Sequence, residues 1–186
     1  MAVAFYINSE DCYGCQTCQV ACKAEQRTSS GVNLRKVHIF NTEKPVTHAT
    51  LSLSCNHCAD PLCLNKCPAG AYVKLANGIV YQHHDLCVGC KMCFEVCPYG
   101  APQYDPEEKK TVKCSYCFER LQQGLGPCCA EACPGGNIQV GEMADLLAIY
   151  SGVNEIPCIT PSASITNPSI LINPATPLKK YLQQSF

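Results

Sequence analysis

Apolar positions in this chain come in short runs, and most of these runs contain the β-branched and aromatic residues that favour strands. The predicted strands cover residues 2–8, 36–42, 50–54, 71–75, 79–82 and 137–140. The pair Asn77-Gly78, between two of these strands, predicts a tight hairpin turn. No window of about 18 apolar residues occurs, so the chain is not expected to insert a helix into a membrane.

Helices are predicted where good helix formers accumulate without glycine or proline. These segments are residues 16–26, 115–123 and 142–150, and Gly124 is expected to end the second one. Residues 98–111 are polar and predict a connector. Residues 151–177 are rich in proline, serine, threonine and isoleucine without a helical period. They predict an extended tail that packs on its own module or on a partner.

Cysteine is the residue type that sets this chain apart. The 186 residues include 18 cysteines, while aromatic residues make up only 8% and tryptophan is absent. A chain of this composition, with 12 glycines and 13 prolines, buries little apolar surface. We therefore expect inorganic clusters to replace part of the core, and the chain without them not to fold.

The clearest cysteine group is Cys87, Cys90, Cys93 and Cys97-Pro98. Three cysteines separated by two residues each, then a fourth after three residues and a proline, are typical of bacterial-type ferredoxins that bind cubane iron-sulfur clusters. Three further groups repeat this pattern: Cys12, Cys15, Cys18 and Cys22; Cys55, Cys58, Cys63 and Cys67; and Cys114, Cys117, Cys128 or Cys129, and Cys133. Four groups predict four [4Fe-4S] clusters.

The third ligand of the last group is either Cys128 or Cys129. Counting back three residues from Cys133-Pro134 selects Cys129. Cys128 and Cys158 are then expected to be small, buried apolar residues.

The ligand sets follow from how this cysteine pattern folds. The first three sulfurs of a group surround one cluster, while the fourth cysteine leaves on a helix and binds the neighbouring cluster of a pair. The second and third groups are adjacent in sequence and form one pair, so the first and fourth groups form the other. The predicted sets are site A (Cys12, Cys15, Cys18, Cys133), site B (Cys22, Cys114, Cys117, Cys129), site C (Cys55, Cys58, Cys63, Cys97) and site D (Cys67, Cys87, Cys90, Cys93). Along such a wire, electrons would pass between site A and its partner, site B, and then through the two inner sites, C and D.

The predicted fold class is α+β, with two bacterial-type two-[4Fe-4S] ferredoxin modules, the second inserted in the first, and an extended C-terminal tail. The outer module comprises residues 1–50 and 98–150, and the inner module comprises residues 51–97. The tail comprises residues 151–186.

Three other uses of cysteine fit the sequence less well. A secreted disulfide scaffold needs an export signal, but the first eight residues have no basic region and only a short apolar run. Zinc ribbons use isolated C-x-x-C pairs rather than runs of four cysteines. Cysteines that are buried only as apolar residues need no regular spacing, whereas the cysteines in this chain are regularly spaced.

The remaining polar residues do not indicate catalysis. No nucleophile with a partnered base is found, and every strong motif is a set of metal ligands. The formal charge is −1, and four oxidised clusters would bring it to roughly −9, which argues against nucleic acid as a partner. Solvent exposure is expected for the basic residues Arg27, Arg35, Lys36 and Lys44 and for the loop histidines His57, His83 and His84.

Three segments carry a family resemblance in addition to the order of the four groups. They are Leu51-Ser-Leu-Ser-Cys55-Asn-His-Cys58-Ala-Asp-Pro-Leu-Cys63, Cys97-Pro-Tyr-Gly-Ala-Pro-Gln-Tyr104 and Ile165-Thr-Asn-Pro-Ser-Ile-Leu-Ile-Asn-Pro174. Together they resemble the four-cluster iron-sulfur subunit of the dimethyl sulfoxide reductase and polysulfide reductase family of molybdenum oxidoreductases. The third segment is similar to the dimethyl sulfoxide reductase branch in particular.

The resemblance implies a non-catalytic subunit that relays electrons to or from a large molybdenum or tungsten bis-pterin catalytic subunit. Its other redox partner would be a soluble donor or an integral membrane subunit that interacts with quinol. Alternatives are a polyferredoxin subunit of a hydrogenase or formate-oxidising complex, a free ferredoxin, and a structural metal module. With no signal peptide of its own, the chain is expected in the cytoplasm. Otherwise it would be exported folded with a signal-bearing catalytic partner and held at the membrane through another subunit.

Overall fold

The largest sheet consists of three strands from distant parts of the chain. The computed structural model describes residues 2–41 and 48–180. The central strand is β1 (Val3–Asn8), and the outer strands are β8 (Ile138–Glu142) and β9 (Ile170–Asn173). β8 pairs with β1 antiparallel, and β9 pairs with it in parallel. The beginning of the chain is therefore held between two segments from its second half.

β1 is buried on both faces. Phe5 and Ile7 enter the main core, whereas Ala4 and Tyr6 pack in a second apolar cluster with Leu146. Because neither face is exposed to water, the strand is a continuous apolar run rather than an alternation of apolar and polar residues.

Three antiparallel strand pairs complete the β structure of the described residues. They are β2 (Lys36–Asn41) with β3 (His48–Leu53), β4 (Tyr72–Lys74) with β5 (Val80–Gln82), and β6 (Gln103–Asp105) with β7 (Lys110–Val112). In the turn between β4 and β5, Gly78 has φ +86, and a Cβ at this position would lie 2.9 Å from the Cα of Ala2. This turn needs glycine both for its conformation and for its contact with the start of the chain.

Most of the helices are short and lie next to cysteines. They are α1 (Thr17–Gln26), α2 (Leu62–Asn65), α3 (Met92–Val96), α4 (Phe118–Leu121), α5 (Cys128–Glu131), α6 (Met143–Ile149) and α7 (Thr176–Lys179), with 3-10 turns at His84–Leu86 and Ala163–Ile165. α1 packs against α5, and α2 packs against α3. These two contacts bring the first cysteine group to the fourth and the second group to the third.

The segment after α6 is tied to several parts of the molecule. β9 lies beside β1, and α7 contacts β3. Ile172 and Leu178 are almost fully buried in the main core. The loop before β9 contacts the second cysteine group, because the Ala59 N–H donates to the Asn167 carbonyl at 2.8 Å.

Most of the predicted strands and helices are confirmed to within about two residues. This holds for the strands at 2–8, 50–54, 71–75, 79–82 and 137–140 and for the helices at 16–26 and 142–150. The strand predicted at 36–42 is confirmed as β2, except that its last residue lies outside the described residues. In residues 2–41 and 48–180, no helix has both the length and the apolar character that crossing a bilayer requires.

Two of the element predictions are wrong. Residues 98–111 are not a plain connector, because they contain β6 and the start of β7. The Asp105 carboxylate closes this hairpin by accepting hydrogen bonds from the Glu107 and Glu108 N–H groups at 3.0 and 3.3 Å. The helix predicted over 115–123 is reduced to α4, because Tyr116 and Cys117 have φ values of +58 and +51, outside the right-handed helical region.

Candidate iron-sulfur cluster sites

The four cysteines of site A line a common pocket. Ile7 and Ile138 form part of its apolar wall. The loop before α1 turns through Gly14 and Gln16, which have φ values of +74 and +62, and this curvature places three of the cysteines around the pocket. Cys133 arrives from the other side, after α5.

The four cysteines of site C also line one pocket, and Pro61 and Tyr99 lie in its wall. Cys55 and Cys63 are buried. The backbone N–H of His57 donates to the Cys55 sulfur at 3.5 Å, a contact that stabilises a thiolate at this position.

Site D, like site A, has one exposed, two half-buried and one buried cysteine. The Thr111 hydroxyl lies 3.4 Å from the Cys87 sulfur and 3.2 Å from the Cys93 sulfur, so these two cysteines face the same group. Cys67 packs against the buried cluster that contains Cys93. Cys90 is exposed.

The cysteines of site B lie in two neighbouring groups of buried residues. Cys22 and Cys117 are in a small apolar cluster that also contains Cys128, and the Cys117 and Cys128 sulfurs are 3.7 Å apart. Cys114 and Cys129 belong to the main core. Both candidates for the third ligand of the fourth group therefore border this site.

The two cysteines left outside the predicted ligand sets differ in exposure. Cys128 is buried, as predicted, but it lies against cysteines as well as apolar side chains. Cys158 is exposed, so the prediction that it is buried is wrong.

Cysteines of different predicted sites share buried clusters. Cys18 of site A, Cys114 of site B and Cys55 of site C belong to the main core. Cys63 of site C and Cys93 of site D share another buried cluster. Each predicted site therefore has a cysteine packed in the same cluster as a cysteine of another site.

Burial controls the acidity of the enclosed thiols. It raises the pKa of Cys58 to about 11 and the pKa values of Cys63 and Cys114 to about 12. At exposed Cys15, by contrast, a hydrogen bond with the Thr17 hydroxyl lowers the pKa. Iron binds thiolates, so binding at the buried cysteines must displace protons that these thiols hold at neutral pH.

Two side chains expected in solvent are buried. His57 is 1% exposed, its Nδ1 accepts a hydrogen bond from the Val80 N–H at 3.1 Å, and its ring packs edge-on against Tyr116. Burial lowers the pKa of His57 well below its ordinary value, so the ring is neutral. Arg35 is also 1% exposed. Exposure is confirmed for Arg27, Lys36 and His83, His84 is half-buried, and Lys44 lies outside the described residues.

Lys113 is a site residue that the sequence analysis missed. It is 5% exposed, and its Nζ lies 3.6 Å from the Cys55 sulfur. The only signal in the sequence was its position directly before Cys114.

The donors present fit an iron-sulfur cluster better than a single metal ion. Within the described residues, no three His, Cys, Asp or Glu side chains converge closely enough to hold one ion, although four cysteines line each of two pockets. The buried Tyr72 hydroxyl and Arg35 Nε have no hydrogen-bond partner, and Tyr72 packs beside Cys93. Cluster sulfur atoms accept hydrogen bonds of this kind. When bound, a [4Fe-4S] cluster supplies one-electron redox chemistry, while this chain supplies the thiolates and their surroundings.

Comparisons with known proteins give one family match over about half of the chain and relatives that cover most of it. Residues 46–143 match the 4Fe-4S dicluster domain family. The chain is 35% identical over 181 residues to one of the chains of anaerobic dimethyl sulfoxide reductase from Haemophilus influenzae, covering 91% of this chain and 88% of that protein. It is 36% identical to the corresponding protein of Escherichia coli K12, covering 91% of this chain and 87% of that protein.

A third relative comes from another reductase. This protein, one of the subunits of tetrathionate reductase from Salmonella typhimurium, is 36% identical over 146 residues, which cover 76% of this chain and 58% of that protein. All these comparisons agree with the cysteine pattern and with the packing of the cysteine groups. This chain belongs to the family of iron-sulfur electron-transfer subunits that includes these anaerobic dimethyl sulfoxide reductase proteins, and it contains a 4Fe-4S dicluster domain.

Proposed function

We propose that this subunit relays electrons through four [4Fe-4S] clusters held at sites A, B, C and D. The observation that carries the proposal is the convergence of cysteines from distant segments on common pockets at sites A and C. In each pocket the fourth cysteine comes from a different group, as a pair of ferredoxin clusters requires.

Strand pairing and helix packing support a two-module organisation. We infer an outer module from residues 1–50 and 98–150 and an inner module from residues 51–97. The pairing of β1 with β8 and the packing of α1 on α5 support the first. The packing of α2 on α3 and the pairing of β4 with β5 support the second. Residues 151–186 are the tail, and β9 and α7 support a role for it in closing the outer module.

Electrons would enter and leave at the two ends of the relay. The ends are sites A and D, where Cys15 and Cys90 are exposed. Each is close in sequence to an exposed apolar side chain, Tyr13 at 66% and Val88 at 70%. Exposed apolar surface around a redox centre suits docking of a protein partner. The partners would be a large molybdenum or tungsten bis-pterin catalytic subunit at one end and a soluble or membrane-bound quinol-linked redox protein at the other.

Metal analysis tests the number of clusters. The protein purified without oxygen is expected to contain about sixteen iron and sixteen sulfide per chain with negligible zinc, because sixteen thiolates are assigned as ligands. Iron and sulfide near eight would contradict the four-cluster proposal, and stoichiometric zinc would contradict a redox role.

Purification from the native host tests the catalytic partner. A tagged copy of this subunit should bring with it a large protein that contains molybdenum or tungsten, measured by elemental analysis of the separated chain. A polyferredoxin subunit of a hydrogenase or formate-oxidising complex is the alternative. A complex with a hydrogenase would favour that alternative, and a subunit recovered alone would favour a free ferredoxin.

Serine variants test the ligands of site B. Cys22→Ser is expected to change the electron paramagnetic resonance signal of site B and to leave that of site A intact, because the fourth cysteine binds the neighbouring cluster. Cys129→Ser should affect the same signal. Cys128→Ser is the matched control, because Cys128 is adjacent in sequence and also buried. Loss of the site B signal in Cys128→Ser, together with no change in Cys129→Ser, would show that Cys128 is the ligand.

A further inference from the structure

Two buried cations lie among the cluster sites without a carboxylate partner. Among the lysines and arginines of the described residues, only Arg35 and Lys113 are buried. The ion pairs within this part of the chain involve Arg120 and Lys179 instead. Burying a charge is unfavourable unless an opposite charge or strong hydrogen bonds compensate it. The anionic clusters are the groups positioned to supply that opposite charge.

Lys113 lies between sites B and C. Its ammonium donates hydrogen bonds to the Val80 and Cys114 carbonyls, the latter at 2.8 Å, and lies 3.6 Å from the Cys55 sulfur. These three contacts account for its three donors. The charge is therefore held between the backbone of one site B cysteine and the sulfur of one site C cysteine.

Arg35 lies beside site A, and the residue before it, Leu34, packs in the buried cluster that contains Cys22 and Cys117 of site B. Its guanidinium donates to the Ser52 hydroxyl at 3.1 Å and to the Ser54 hydroxyl at 2.9 Å. The Ser52 hydroxyl is in turn 3.4 Å from the sulfur of Cys18 in site A. The guanidinium carbon lies 4.7 Å above the Phe5 ring, which fixes it within the main core.

The acidity of Arg35 agrees with this position. Burial alone would lower its pKa, but Cys129, Cys114, Cys18 and Cys22, when ionised as cluster ligands would be, raise the pKa above its ordinary value. Three of these cysteines are in site B and one is in site A.

A fixed cation favours the reduced form of a nearby cluster. Reduction adds one negative charge, and its attraction to a buried cation is strong because little water is present to screen it. The potentials of iron-sulfur clusters depend on net charge, on hydrogen bonds to sulfur and on burial.

We propose that Arg35 raises the reduction potentials of the clusters at sites A and B, and that Lys113 raises those at sites B and C. The inference rests on the proposed ligand sets. The site B cluster is then influenced by both cations. Site D faces Lys110 instead, a half-buried residue whose ammonium donates to the His84 carbonyl. The relay would thus contain a favourable position for the electron in its interior.

The test is a redox titration of the cluster-loaded protein, followed by electron paramagnetic resonance. Signals are assigned to sites with serine variants of one predicted ligand of each site: Cys15 for site A, Cys22 for site B, Cys58 for site C and Cys90 for site D. Lys113→Gln keeps hydrogen-bond donors but removes the charge. It is expected to lower the reduction equilibrium constants at sites B and C by about tenfold, equivalent to about 59 mV for one electron, and to leave sites A and D nearly unchanged.

Two variants serve as controls for Lys113. Lys113→Arg keeps the charge and should stay close to the wild-type potentials. Lys74→Gln removes a lysine whose ammonium contacts the Cys58 carbonyl of site C at 3.0 Å but is exposed, so solvent screening should leave the potentials nearly unchanged.

Arg35→Gln provides a second, independent test. It should lower the reduction potentials of sites A and B and leave that of site D unchanged. If Lys113→Gln does not assemble its clusters, the potentials of Arg35→Gln decide the inference. If the wild-type protein shows four signals but neither variant shifts any potential, or if a variant shifts all four potentials equally, the inference is overturned. The proposed function would then still stand. Fewer than four wild-type clusters would overturn the proposed function and the inference with it.

Discussion

Cysteines from distant segments meet at common pockets, and the rest of the structure is arranged around these contacts. Cys18 of the first cysteine group and Cys133 of the fourth border one pocket, and Cys55 and Cys97 border another. Cysteines also form part of the main core, where Cys18, Cys55, Cys114 and Cys129 pack beside apolar side chains. A bound cluster would therefore cross-link the chain where its apolar packing is weakest.

The same interaction explains the buried charges. Without clusters, the core would contain two cations without carboxylate partners and several thiols that burial keeps protonated, such as Cys114 with a pKa of about 12. The unpartnered charges are unfavourable in an apolar interior, whereas the neutral thiols are compatible with it. With clusters, the thiols become thiolates and the cations lie beside negative charge. The attraction between the buried cations and the clusters would thus both stabilise the fold and favour the reduced form of the clusters.

The sequence predicted the parts of the molecule that depend on local rules. The spacing of Cys87, Cys90, Cys93 and Cys97 reflects the geometry of a single cluster, so it can be recognised without a structure. The strand at the start of the chain was recognisable because burial on both faces leaves a continuous apolar run. The inserted arrangement of the two modules remains a prediction.

Features that depend on tertiary contacts were not predictable in this way. Arg35 and His57 lie in polar sequence surroundings typical of solvent-facing residues, and their burial follows from packing against Phe5 and Tyr116. The hairpin of β6 and β7 was missed because its strands have three residues each and a polar side chain closes the turn. Spacing selects Cys129 rather than Cys128 as a ligand, but it could not show that tertiary packing places both residues beside site B.

We expect the clusters, rather than the apolar core alone, to hold this fold together. Circular dichroism measured during anaerobic removal of iron by a chelator tests this expectation. The native spectrum should be lost in proportion to the iron removed, because cluster binding and folding are coupled. A cluster-free chain that keeps the native spectrum would contradict it.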